Sequence, residues 1–214
     1  MLNNNSDKKN KVVKAWVTRQ KNDIYVKDSH RDGYRSRAAY KLKEFIVEND
    51  NLFHNVNTVV DLGCAPGSWS QVAIENIGEH GTVVGVDLLE IHPLHRLKFI
   101  QGDFTEDSTL QELLEAINHK PVDLVISDMS PNLSGIKGVD QARGAYLVEL
   151  VLDFCTHHLK IGGDCLIKVF HGSEFDNLVK QSREVFQRVS IVKPKASRSD
   201  SSETYLLCKT KLDV

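Results

Sequence analysis

After residue 36 the period of the apolar residues changes several times, and each change marks an element. Ala38, Leu42, Phe45 and Ile46 recur at i, i+4, i+7 and i+8, which predicts a helix over 36–48 with Lys41 bordering its apolar face. "TVVDLG" (58–63) is a short β-branched run closed by glycine and predicts a buried strand. Further on, the pattern predicts helix 68–78, strands 81–89 and 97–104, helix 107–119 and strand 121–129. A long helix over 138–163, closed by Gly162 and Gly163, leads into a fifth strand over 162–172 and a helix over 174–186. Strands near 188–193 and 204–210 follow with no helix between them, and predict an antiparallel finish. Alternation of this kind predicts an α/β fold: a mostly parallel seven-stranded sheet, helices on both faces, and an antiparallel last strand. Such sheets bind ligands beyond the carboxyl ends of their strands, where strand order reverses.

Several strand ends carry suitable chemistry. The first runs into "DLGCAPGSW" (61–69), where Gly63 and Gly67 bracket a turn into a helix and let backbone approach a ligand. The spacing is G-x-x-x-G, without the G-x-G-x-x-G of a pyrophosphate loop or the Lys-Ser/Thr of a P-loop. Strand two ends in Asp87, placed to accept both hydroxyls of a ribose, and "GDF" puts Asp103 after strand three. A ligand with ribose and adenine but no phosphate points to S-adenosylmethionine. Each acid alone reads equally well as a cap or turn residue; the series in order carries the inference.

The fifth strand poses a sharper question. "GGDCLIKVFHG" (162–172) sets Lys168 inside the apolar run Cys165, Leu166, Ile167, Val169, Phe170. An ammonium is almost never buried without a partner, because desolvation costs several kcal/mol. Strand four ends at "SDMSP", so Asp128 is the evident partner, with Glu203 at the start of the last strand as a second. Lys41, Asp128, Lys168 and Glu203 then share one rim. Lys41 also reads as a snorkelling helix lysine and Glu203 as a turn residue.

Composition narrows the class. The 214 residues carry 27 Lys/Arg and 29 Asp/Glu, and no apolar run approaches the roughly 18 residues of a membrane helix. The N-terminus shows no apolar signal segment, which predicts a cytoplasmic protein. Four scattered cysteines read as buried hydrophobes, and neither they nor the nine histidines have metal-ligand spacing, so no metal is expected. Charge is lopsided: residues 1–43 hold twelve Lys/Arg against four acids, and the remainder fifteen against twenty-five. Residues 1–35 therefore read as a basic arm for a polyanion and 36–214 as the catalytic domain. Interleaved Trp16, Tyr25, Tyr34 and Tyr40 favour nucleic acid over lipid.

The segments "GYRSRAAYKL", "VVDLGCAPGSWSQ", "GVDLL", "IQGDF", "VISDMSPNLSG", "YLVELVL", "IKVFHG" and "SRSDSSETYLL" resemble the FtsJ (RrmJ-type) ribosomal RNA 2′-O-ribose methyltransferases, in order, over roughly residues 16–210. The resemblance implies a Rossmann-like methyltransferase fold and a catalytic tetrad of Lys41, Asp128, Lys168 and Glu203. It also implies S-adenosylmethionine contacts at Gly67, Trp69, Asp87, Asp103 and Asp128. The implied substrate is a uridine of the 23S rRNA A-loop, met in the large ribosomal subunit by a monomer. The family's loop commonly reads A-A-P-G-G-W; Ser68 stands at the second glycine, where any positive φ would cost more. Other readings are a tRNA ribose methyltransferase, a non-catalytic ribosome-assembly factor, and a nicotinamide dehydrogenase on a related sheet.

Overall fold

The computed structural model describes residues 23–49, 51–199 and 201–214. Most of the predicted basic arm, residues 1–22 with Trp16, lies outside the described residues.

The strands are β1 (Thr58–Leu62), β2 (Thr82–Asp87), β3 (Leu97–Gln101), β4 (Val122–Ser127), β5 (Leu159–Phe170), β6 (Phe186–Val192) and β7 (Glu203–Lys211). They form one sheet in the order β3-β2-β1-β4-β5-β7-β6. The first five run parallel; β7 is antiparallel and inserts between β5 and β6. The helices are α1 (Ile24–Arg31), α2 (Ala39–Glu48), α3 (Ser68–Asn76), α4 (Asp107–Ala116), α5 (Lys137–His158) and α6 (Phe175–Val185). The fold is the Rossmann-like α/β arrangement that the alternation predicts.

Alternating strand residues feed two apolar layers. Val60, Leu62, Val125, Ile167 and Val169 pack under α4, α5 and α6. Val59, Leu124, Ile126, Leu166 and Tyr205 pack under α2 and α3. The order reverses between β1 and β4, whose carboxyl ends frame a crevice.

Two elements differ from their sequence patterns. The long helix ends at His158, and its glycine pair belongs to β5. Gly162 has φ +81°, and a Cβ on Gly163 would stand 2.8 Å from Leu159 and 3.0 Å from the Asp123 carbonyl, so these glycines serve an irregular pairing of β5 with β4. The helix α1, by contrast, has no clear apolar period in "IYVKDSHR". It is tied down by polar contacts: Asp23 caps it and pairs with Arg37, and the Tyr25 hydroxyl donates to Glu44 at 3.3 Å. Residues 36–38, the predicted first turn of α2, form a separate turn in which Ser36 Oγ accepts from the Ala38 N–H.

Candidate active site

Between β1 and α3 the chain turns with φ +75° at Gly63 and +102° at Gly67, the left-handed region that glycine tolerates. Ser68 escapes that requirement. It is the first residue of α3, and its hydroxyl bonds that of Ser36 at 2.7 Å. A Cβ on Gly63 would lie 2.2 Å from Met129 Cγ, so the loop passes tightly against the end of β4. Asp87 accepts the Ala65 N–H and the Leu89 N–H, each within 2.9 Å, and thereby ties the glycine loop to the end of β2.

Asp87, Asp103, Asp128 and Gly63 line a cavity of about 390 Å³ with Phe104 and Met129. Among the described residues, no lysine or arginine lines it. Neither Gly67 nor Trp69 lines this cavity. The indole N–H of Trp69 donates to the Ala38 carbonyl, and its ring packs 5.8 Å from that of Tyr205.

The four tetrad candidates converge. Lys168 is 8% exposed and donates to Asp128 Oδ1 at 2.9 Å, to the Asp128 carbonyl at 2.7 Å and to Ser130 Oγ at 3.0 Å. Three acceptors match the three donors of an ammonium, which answers the question its place in an apolar strand raised. Lys41 projects from α2 into the same cluster, 3.0 Å from Glu203 and 3.6 Å from Asp128 Oδ1. Glu203 thus partners Lys41; the expectation that it also pairs with Lys168 is not met, because Phe170, not Lys168, is its register partner on β5.

Pattern reading missed Tyr205. It stands directly opposite Lys168 on β7, fully buried, with its hydroxyl 2.5 Å from Asp128 Oδ1 and 2.9 Å from Lys41 Nζ. It donates to the carboxylate and accepts from the ammonium. Within "SSETYLL" it reads as an ordinary strand aromatic; only its register against Lys168 exposes its role. Burial pushes the Asp128 carboxyl up, but Lys168, Lys41 and the Tyr205 hydroxyl outweigh it and hold the group below its ordinary value. Burial, Asp128 and Glu203 push the Tyr205 phenol far up, so it stays a donor.

All three donors fall on Asp128 Oδ1. Oδ2 receives none among the described residues, and it is not one of the buried atoms lacking a partner, so it faces accessible space. Across the cluster lies a second cavity, about 410 Å³, lined by Arg37, Lys41, Arg198, Ser201 and Glu203. Asp128 lines the first cavity and Lys41 and Glu203 the second, while Lys168 lines neither.

The family model for FtsJ-like methyltransferases matches residues 34–211. The chain belongs to the FtsJ-like methyltransferase family. A ribosomal RNA large subunit methyltransferase E from Methylobacillus flagellatus is 54% identical over 200 residues, 94% of this chain and 96% of that one. Another of the same name, from Nitrosospira multiformis, is 53% identical over 206 residues, covering 96% and 100%. Among solved structures, a putative ribosomal RNA methyltransferase from Plasmodium falciparum superposes with a TM-score of 0.73 at 33% identity, over 84% of this chain and 99% of that one. The family model's match spans the tetrad candidates, both cavities and the whole sheet. Among the described residues no His/Cys/Asp/Glu group has the arrangement of a metal site, and no helix is long and apolar enough to cross a membrane.

Proposed function

We propose that this FtsJ-like enzyme transfers a methyl group from S-adenosylmethionine to the 2′-oxygen of a uridine in the 23S rRNA A-loop, within the large ribosomal subunit. One observation carries the reading: a lysine-carboxylate cluster borders an acid-lined cavity through Asp128 and a base-lined one through Lys41 and Glu203. The first cavity fits the donor. Three carboxylates suit its positive charges, Asp87 and Asp103 stand where ribose and base edges need acceptors, and Phe104 and Met129 supply apolar walls. Gly67 and Trp69 would shape the turn into α3 beside the donor, since the Gly67 N–H and carbonyl are bonded to Cys64 and Gln71.

Bound S-adenosylmethionine supplies an electrophilic methyl carbon whose departure leaves a neutral thioether, so no acid is needed on that side. The protein's task is on the oxygen. Lys168, held by Asp128 and Ser130, meets the 2′-hydroxyl by giving up its neutral contact to Ser130. It already donates to Asp128 Oδ1, and its freed N–H can donate to the 2′-oxygen and turn a lone pair toward the methyl carbon; the hydroxyl proton, made strongly acidic as the C–O bond forms, is then lost to water. Lys41, braced by Glu203 and Tyr205, fixes the rotamer of Asp128. Most of the acceleration comes from alignment of oxygen, methyl and sulfur. We further place the protein in the cytoplasm as a monomer, with residues 1–22 adding RNA affinity.

The test is incubation with labelled S-adenosylmethionine and undermethylated large subunits, followed by mapping of the labelled ribose. A label on the A-loop ribose is expected. Label on tRNA alone would overturn the substrate; no label with tight donor binding would favour a non-catalytic role.

A further inference from the structure

The second cavity holds a charge that the catalytic cluster does not use. Of its three cations, Lys41 is neutralised by Glu203, and Arg37 by Asp23. Arg198 has no carboxylate partner and no side-chain hydrogen bond among the described residues, although it is half-buried on the cavity wall. Beside it, Ser201 Oγ accepts the Glu203 N–H, which leaves its own proton free to donate. Lys193, which does not line the cavity, donates to the Ser201 carbonyl. Among the described residues that line the cavity, the surplus is one fixed positive charge, on Arg198, with a hydroxyl donor next to it.

The loop carrying these groups is built in advance. Glu44 on α2 accepts the Lys195 and Ala196 N–H groups at 2.6 and 2.9 Å, and Arg37 donates to the Ala196 carbonyl. A turn from the Ser201 N–H to the Arg198 carbonyl, 3.2 Å, orients the arginine stem. Lys41 and Glu44 lie on one side of α2 at i and i+3, and Arg37 stands in the turn before it, so this segment sets both the tetrad lysine and the loop. Ser197 Oγ in this loop is one of only two buried side-chain oxygens without a partner among the described residues.

We propose that Arg198 and Ser201 bind one phosphodiester of the acceptor RNA, the one flanking the ribose presented to Lys168. This rests on the RNA-methylation reading above. A single surplus charge suits a monoanionic phosphodiester, and a guanidinium paired with a hydroxyl is a common phosphate receptor. The contact positions the strand and carries no base preference.

The test measures methyl transfer to undermethylated large subunits across a salt series, with wild-type protein, Arg198→Ala and Arg198→Lys. Arg198→Ala should raise KM for the subunit about tenfold at low salt, with the loss falling on KM far more than on kcat. The slope of log(kcat/KM) against log salt should flatten by about one. Arg198→Lys should restore the slope but not all of the KM, and S-adenosylmethionine affinity should be unchanged in both. An Arg198→Ala enzyme with wild-type KM and slope overturns the phosphate site alone, as does a loss confined to kcat. Wild-type protein that methylates no subunit overturns the functional reading and the site with it.

Discussion

Replacing Tyr205 with Phe removes one oxygen and leaves the ring among Trp69 and Phe45, 5.8 and 5.4 Å away. That oxygen makes two contacts with charged groups: it donates to Asp128 at 2.5 Å and accepts from Lys41 at 2.9 Å. Hydrogen bonds to charged groups are worth about 1.5–3 kcal/mol, and Lys41 and Lys168 remain to satisfy the carboxylate, so a net loss of about 2 kcal/mol follows. For a chain of this size that lowers Tm by roughly 4–8 °C. The larger effect should be on rate. Asp128 and Lys41 lose the contact that sets their relative position, and a displacement near 1 Å can cost about a hundredfold. We therefore expect kcat to fall between about tenfold and a hundredfold, with S-adenosylmethionine affinity within a few fold of wild type. The pH profile separates positioning from mere packing. Tyr205 helps hold the Asp128 carboxyl low, so its loss raises that group and moves the acid limb of kcat/KM to higher pH. A variant with lowered Tm but unchanged kcat and an unmoved acid limb would show that the hydroxyl only packs, and would refute the reasoning.

Other substitutions probe separate parts of the site. Lys168→Ala should abolish methyl transfer while donor affinity, read by calorimetry, changes by no more than a few fold; residual activity near wild type removes Lys168 from the chemistry. Gly63→Ala places a Cβ 2.2 Å from Met129 Cγ at φ +75°, so donor affinity should drop more than tenfold, and an unchanged titration would mean the loop relaxes freely. Asp61, buried beneath α3, is pushed up to about 7 by burial, against the 2.6 Å bond from the Ser70 hydroxyl. Its folded value lies above the unfolded one, so its stability contribution is fully present near pH 4 and is lost as pH rises to about 7, by up to about 4 kcal/mol. Asp61→Asn should flatten that part of the stability curve in denaturant titrations; an identical slope contradicts the assignment. Deleting residues 1–22 should weaken RNA binding and flatten its salt dependence, and an equal slope would reduce the segment to a solubility tail.

What could be read from the chain was what is local. β1, β2 and β4 are β-branched runs closed by glycine or an acid, and the acids that end strands fall on the rim because a parallel sheet puts all its carboxyl ends there. Lys168 announced itself by being polar at an apolar position. Partner choice was not legible, since it depends on register between strands far apart in sequence. Lys168 lies opposite Tyr205 and Phe170 opposite Glu203, which sends the glutamate to Lys41 instead. The helix α1 escaped for a different reason: polar ties to Arg37 and Glu44 hold it, and such ties leave no period. Gly162 and Gly163 misled because a glycine pair marks a helix end and a strand irregularity equally well.

The sidedness of charge also decides between ligand classes. A dinucleotide carries two negative charges on its pyrophosphate, and in the first cavity these would face Asp87, Asp103 and Asp128 with no lysine or arginine among the described residues of the wall. On the reading proposed above, S-adenosylmethionine would bring a sulfonium and an ammonium to the same three carboxylates. Transfer of the methyl removes the sulfonium charge, so the attraction that draws the donor in weakens for the spent product, which favours exchange after each turnover. The acceptor's phosphates would keep their charge through the reaction, and the cation proposed to meet one of them is Arg198. One buried cluster of two ammonium groups and two carboxylates can stand between these opposite fields because its own charges cancel within 3.6 Å. Removing a single member leaves an unpaired buried charge, which is why each of the four should be intolerant of neutral substitution even where it touches no reacting atom.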